Sequence, residues 1–277
     1  MQIDRAFVRI AEGLVHYRHC GGGRPLPLYM IHASPMSAIA FEPMMGALGV
    51  SRRVIAPDTL GYGDSAPPAP ETPDIAYFAD SVARILDALN LGRIDVYGSH
   101  TGAHIACELA LRHPGRARRI VFDGIGMFSA EDKAEFLEKY APPLHAEPDG
   151  SHFAAAWTWS RDGMLFFPNF RRTPTAARDA AVPPAAALHL MTLELLKALG
   201  TYHKGYHAAF RHPDRARLPL IEQPVFCMAS EDDILKDRVP IAASLLKHGT
   251  SALLPSEGTA AGLAAKAAAV AAFLDAP

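Results

Sequence analysis

The stretch from Arg93 to Ile125 constrains this chain more than any other. It reads "RIDVYGS", then "TGAHIACELALRH", then "ARRIVFDGI", a strand, a helix and a strand with short joins. Its strand segments are apolar almost throughout, as strands covered on both faces are; a half-exposed strand would alternate. Two strands joined through a helix lie parallel in one sheet, since a tight hairpin cannot connect them. The pattern recurs. "LPLYMIHAS" and "RRVIAPD" are apolar strand candidates, and Ile75, Phe78, Val82, Ile85, Leu86 and Leu89 fall at helical spacing between Pro73 and Leu91. Further on, "QPVFCMAS", "DRVPIAASLLKHG" and "TSALLPS" repeat strand, helix, strand, and the alanine-rich "AAGLAAKAAAVAAFL" closes with a helix of high intrinsic propensity. Near the start, "RAFVRI" and "GLVHYRH" predict a strand pair joined near Gly13, with Gly21-Gly22-Gly23 closing it in a turn. The expected fold class is α/β, a mostly parallel doubly wound sheet.

This rhythm is lost between about Met127 and Arg217, where proline, histidine and aromatic residues crowd together. Residues 1–126 and 217–277 are therefore expected to form one sheet domain, and 127–216 a helical cap or lid inserted over its functional edge. The chain has 277 residues, 49% of them hydrophobic, ample for a sizeable core. A net charge of -2 leaves no electrostatic footprint for nucleic acid. No apolar run reaches membrane-spanning length, and "MQIDRAFVRI" lacks the pattern of a signal peptide. Cys20, Cys107 and Cys227 are odd in number and lack metal-site spacing, so reduced thiols in a cytoplasmic protein are expected. The expected partner is a small organic molecule, with no nucleic acid or membrane, and the chain a monomer or homodimer.

Four motifs carry a resemblance: "IHASPMS", "PDTLGYGDS", "GSHTG" and "ASEDDIL", in this order. With them the chain resembles the α/β-hydrolase fold superfamily over nearly its whole length. The resemblance implies an oxyanion loop at "IHASPMS" and a nucleophile elbow at "GSHTG". It also implies an acid at Asp232 and oxyanion-hole N–H groups from Ser34 and Thr101. Two triad positions depart from the family pattern. His100 stands where the nucleophile belongs, and Thr259 follows Gly258 where the catalytic histidine belongs, with no histidine after His248. Serine-hydrolase chemistry therefore does not carry over.

An elbow projects its side chain into the cleft at the start of the following helix. Imidazole is longer than a serine side chain, so His100 can extend toward the space left at Thr259, where Asp232 would hold one ring nitrogen and leave the other for substrate. Such a dyad can activate water, move a carbon-bound proton or act as a nucleophile. A carboxylate partner raises the histidine pKa and the helix N-terminus lowers it. The alternatives are a histidine filling a disused elbow, or a metal ligand with His104 at i, i+4. "HTGAH" lacks the internal glutamate and an evident third ligand, and His104 is expected to pack beneath the cap. Ser99 reads as a structural hydroxyl and Asp123 as a turn former that is also an alternative acid position. Glu231 and Asp233 compete with Asp232, and Glu257 neighbours the vacated histidine site.

Within the cap, "GSHFAAAWTWSRDGMLFFPNF" places His152, Trp157 and Arg161 at roughly helical spacing. These three, with His32 of the oxyanion loop, are the expected substrate contacts, although His32 in the superfamily mostly shapes its loop. Arg161 turned inward would favour a carboxylate-bearing substrate, and beside Asp162 it can equally form a local ion pair. The first expectation is hydrolysis of a small, partly apolar molecule. A lyase, isomerase or decarboxylase on the same fold, or a non-catalytic ligand binder, are the alternatives. No cofactor and no metal are expected, since "CGGGRP" lacks the strand–helix setting of a phosphate loop.

Overall fold

The structure is a computed structural model that describes residues 1–23 and 26–277. In chain order the strands are β1 (Asp4–Ile10), β2 (Gly13–Cys20), β3 (Leu28–Ile31), β4 (Val54–Pro57), β5 (Ile94–Ser99), β6 (Ala117–Asp123), β7 (Val225–Ser230) and β8 (Gly249–Leu254). They form one sheet in the order β1-β2-β4-β3-β5-β6-β7-β8. β1 and β2 run antiparallel to each other, β2 runs antiparallel to β4, and every pairing from β4 to β8 is parallel.

The helices are α1 (Glu42–Leu48), α2 (Ile75–Ala88), α3 (Thr101–Arg112), α4 (Ala130–Lys139), α5 (Ser151–Leu165), α6 (Ala185–Lys197), α7 (Tyr202–Arg211), α8 (Asp214–Arg217), α9 (Val239–Leu245) and α10 (Ala260–Asp275). α2, α3 and α9 pack on one face of the sheet, α1 and α10 on the other. β3 shows why its sequence is continuously apolar. Tyr29 and Ile31 enter the first core and Leu28 and Met30 the second, so successive residues alternate between two buried faces. Among the described residues, no helix is long and apolar enough to cross a membrane.

Helices α4 to α8 all lie between β6 and β7, and their aromatic residues, with Tyr62 from below, form a third core around Phe136, Tyr140, Tyr202 and Phe210. Two local expectations change. The turn between β1 and β2 is made at Ala11 and Glu12, while Gly21 to Gly23 lead away from β2, which pairs with β4. Helix α1, unanticipated in "FEPMMGALG", is short and opens with a proline in its first turn.

Candidate active site

His100 sits between the last residue of β5 and the first of α3, with φ 46° and ψ −107°. A left-handed conformation at a non-glycine residue costs roughly 1–3 kcal/mol and persists only where its surroundings enforce it. They do so here. The His100 N–H donates to the carbonyls of Asp123 at 3.0 Å and Gly124 at 3.1 Å, and its own carbonyl accepts from Ala103 at 2.9 Å. The helix meets the sheet so closely that a Cβ on Gly102 would lie 2.0 Å from the Ile31 carbonyl oxygen. The glycines of "GSHTG" are thus a requirement of packing.

The imidazole reaches across the strand ends, and its Nε2 lies 2.8 Å from Asp233 Oδ2. Asp233 is fixed in turn: its N–H donates to the Ser230 carbonyl at 2.9 Å, and its Oδ1 accepts from the Leu235 N–H at 2.6 Å. Burial disfavours the imidazolium, but the Asp233 charge and hydrogen bond outweigh it, so the His100 pKa is raised. Burial pushes the Asp233 carboxyl up, whereas His100 and the Leu235 N–H pull it down further, to about 2. The expected acid, Asp232, is displaced by one residue. Its side chain accepts from Ser256 Oγ at 2.7 Å on the surface and takes no part in the dyad.

The place of the missing histidine holds different chemistry. Thr259 caps α10, accepting from the Gly262 N–H at 3.0 Å. Lys266, buried on α10, places its Nζ 2.7 Å from Asp123 Oδ2 and 2.6 Å from Glu257 Oε2. Burial pulls the Lys266 pKa down, but the two carboxylates outweigh it and hold the ammonium at about 12. The Tyr97 hydroxyl donates to the same Asp123 oxygen at 2.5 Å, and among the described residues Asp123 Oδ1 is buried without a partner. A cavity of about 290 Å³ opens beside this cluster, lined by Ser99, Tyr97, Asp123 and Glu257 among others. Sequence reasoning missed Lys266. Its signal was a lone charge among the apolar residues of "AAGLAAKAAAVAAFL".

His100 also faces a narrow cavity of about 40 Å³, shared with Thr101 and His104 and walled by Phe128, Tyr140, Phe167, Tyr206 and Phe210. Thr101 is the first residue of α3, so no carbonyl one turn back takes its N–H. Ser34 is held by its hydroxyl, which donates to Tyr62 at 2.9 Å, and by its carbonyl, which accepts from Tyr206 at 2.5 Å.

The four expected substrate contacts do not line this cavity. His32 is buried, with Nδ1 on the Ala33 carbonyl at 3.0 Å and Nε2 accepting from the Thr59 N–H at 2.8 Å, so it ties two loops together. His152 accepts from the Glu147 N–H at 3.0 Å and lies against the Phe153 ring. Trp157 is exposed, and Arg161 is spent on Asp162 at 2.8 and 2.9 Å. Helix α5 instead buries Ala156, Ser160 and Asp162, and turns Trp159 inward to donate to the Tyr140 carbonyl at 3.2 Å. His104 is buried on α3, and His212 and Asp214 lie beside it, a close neighbourhood its sequence spacing does not reveal.

The model of the α/β hydrolase fold family matches residues 27–235. The chain is 41% identical over 118 residues to 2-hydroxymuconate semialdehyde hydrolase of Pseudomonas sp. (strain CF600), covering 42% of this chain and 41% of that protein. It is 34% identical over 129 residues to 2-hydroxy-6-oxo-2,4-heptadienoate hydrolase of Pseudomonas putida, covering 45% and 46%. These matches thus span less than half the length of either relative. Among solved structures, a hydrolase from Pseudomonas aeruginosa PA01 superposes with a TM-score of 0.74 at 22% identity over 99% of both chains. The enol-lactonase from Burkholderia xenovorans LB400 does so with 0.70 at 18% identity, over 98% of this chain and 100% of that one. Sheet order, elbow and family match agree, and the chain belongs to the α/β hydrolase fold family.

Proposed function

We propose that this chain is a hydrolase of a small, largely apolar organic substrate in which His100, oriented by Asp233, is the general base toward water. The observation that carries this reading is the 2.8 Å contact from His100 Nε2 to Asp233, made by a side chain that also lines an apolar cavity. With Nε2 committed to the carboxylate, Nδ1 is the nitrogen left to accept a proton. One imidazole then links the elbow directly to the acid, a link that serine and histidine make together in a triad. The N–H groups of Thr101 and Ser34 are the donors proposed for the oxyanion. The cavity holds a water or two as it stands, so a substrate enters by displacing cap aromatics. The hydrolase names of the partial relatives support the reaction class.

The test is a panel of short esters, lactones and 2-hydroxymuconate semialdehyde, assayed with variants. His100→Ala and Asp233→Asn should each lower kcat by about 10²–10⁴, and the double variant by little more, because the two groups act as a unit. Asp232→Asn should leave kcat unchanged. A base must be neutral, so the native rate falls as pH drops through the raised His100 pKa; removing the Asp233 charge moves that limb to lower pH. A fluorophosphonate should leave no adduct on serine. Full activity in His100→Ala, or a stoichiometric serine adduct, would overturn the reading.

A further inference from the structure

His104 stands one helical turn beyond His100 on α3 and lines the same cavity. It is 3% exposed, with Nδ1 2.6 Å from Asp214 Oδ1. Among the described residues its Nε2 has no hydrogen-bond partner, yet that atom is not sealed from open space. Asp214 is anchored: Oδ1 also meets His212 Nδ1 at 2.7 Å, and Lys133 Nζ lies 3.1 Å from Oδ2. His212 Nε2 continues to Glu108 at 2.9 Å, and Arg217 holds both oxygens of Glu108 at 2.6 and 2.9 Å. Tyr140, Tyr206 and His100 face His104 across the cavity.

A structural role for this network needs its hydrogen bonds, and they are present. It does not need an imidazole nitrogen left open toward the cavity. Nor does the cluster suit a divalent ion. Both histidine nitrogens are at hydrogen-bond distance from one Asp214 oxygen, and Lys133 supplies positive charge to the other.

We infer that His104, oriented by Asp214, is a second catalytic residue, the general acid that protonates the leaving group of an ester or lactone while His100 accepts the proton of the attacking water. The inference rests on the His100 reading above. The water oxygen bonds to the acyl carbon and its proton passes to His100 Nδ1. The bond from that carbon to the leaving oxygen breaks, its electron pair stays on the oxygen, and the Nε2 proton of His104 joins it. His100 then returns one proton to solvent and His104 takes one up, with no covalent enzyme intermediate. Two dyads would thus divide the tasks that one histidine performs in succession in a serine triad.

General acid help matters for an alkoxide and hardly at all for a nitrophenolate. His104→Gln, whose amide can still donate to Asp214, should lower kcat by about 10² on alkyl esters and lactones and by less than about threefold on the p-nitrophenyl ester. Equal losses on both ester classes, or none on either, would overturn the inference. Loss of both activities in His100→Ala with no effect of His104→Gln sinks the His104 role alone, whereas a harmless His100→Ala sinks the reading beneath it. A measurement on the native protein stands if the variant misfolds. Its His104 Nε2 resonance, followed by ¹⁵N NMR, should shift when a product alcohol is titrated in, and no shift would overturn the inference. Stoichiometric zinc in the purified protein would do so too.

Discussion

Gly124 decides how His100 is held. Its φ is +67°, and a Cβ there would lie 2.9 Å from both Cδ2 and Nε2 of the imidazole. Gly124→Ala removes no polar group, yet it pushes the ring from Asp233. A displacement near 1 Å can cost about 10² in rate, so kcat should fall by about that factor. The left-handed backbone adds a stability loss of about 1–2 kcal/mol, read from urea midpoints. Wild-type kcat in this variant would show that the 2.8 Å contact is not what orients the base. The identity of that contact was only partly legible. "ASEDDIL" offers three acids in a row, and the selection falls on Asp233 through the turn it makes with Ser230 and Leu235. Nothing in the order of the letters reveals that turn. His100 was legible because two glycines around it mark the elbow whatever stands between them.

Helix α10 shows the same division at the scale of elements. Its existence follows from alanine propensity and its place at the end of the rhythm. That its one internal lysine is buried against Asp123 does not, because a helix apolar at nearly every other position gives no amphipathic face to read. Lys266 neutralises a buried Asp123. Lys266→Met leaves that carboxylate uncompensated and should cost about 3–5 kcal/mol. Replacing Asp123 by Leu in the same chain should recover most of the loss, because paired removal of buried charges is far milder than single removal. A urea titration of the three proteins checks this, and an undiminished midpoint in Lys266→Met would show the pair to be energetically idle. Helix α5 failed differently. His152, Trp157 and Arg161 do not share a face: a helix of 3.6 residues per turn sets His152 and Arg161 on opposite sides, and the Tyr140–Tyr202 aromatic core chose Trp159 instead. Strands were readable because the sheet is covered on both sides; cap helices were not, because tertiary contacts choose their faces.

Across the whole molecule the buried ion pairs set a pH window for stability. Asp233 and Glu108 titrate near 2, and Asp214 and Asp58 are also held below their ordinary values. For Asp233, Glu108 and Asp214, burial alone would raise the pKa, and the partners named above outweigh it; for Asp58, His16 and the backbone N–H groups of Asp64 and Ala38 outweigh it. Groups depressed on folding add stability above about pH 4.5, and that stability is lost as pH falls through their folded values. Each carboxylate titrating near 2 accounts for roughly 2–3 kcal/mol. His100 and His212 carry the opposite sign. Burial opposes their protonation, Asp233 and Asp214 overcome it, and both pKa values rise. Their contribution is complete below about pH 6.5 and is lost as pH rises through the raised folded values. The two sets overlap between about pH 4.5 and 6.5, where both partners of each pair are charged in the folded state. Urea midpoints measured from pH 2 to 9 should therefore peak in that interval, falling steeply on the acid side and more gently on the alkaline side. Asp233→Asn should flatten the alkaline decline, since His100 then has no carboxylate to lose. A midpoint that keeps rising from pH 6 to 8 would mean that neither histidine is charged in the folded protein, which would also remove the electrostatic basis of the His100–Asp233 dyad.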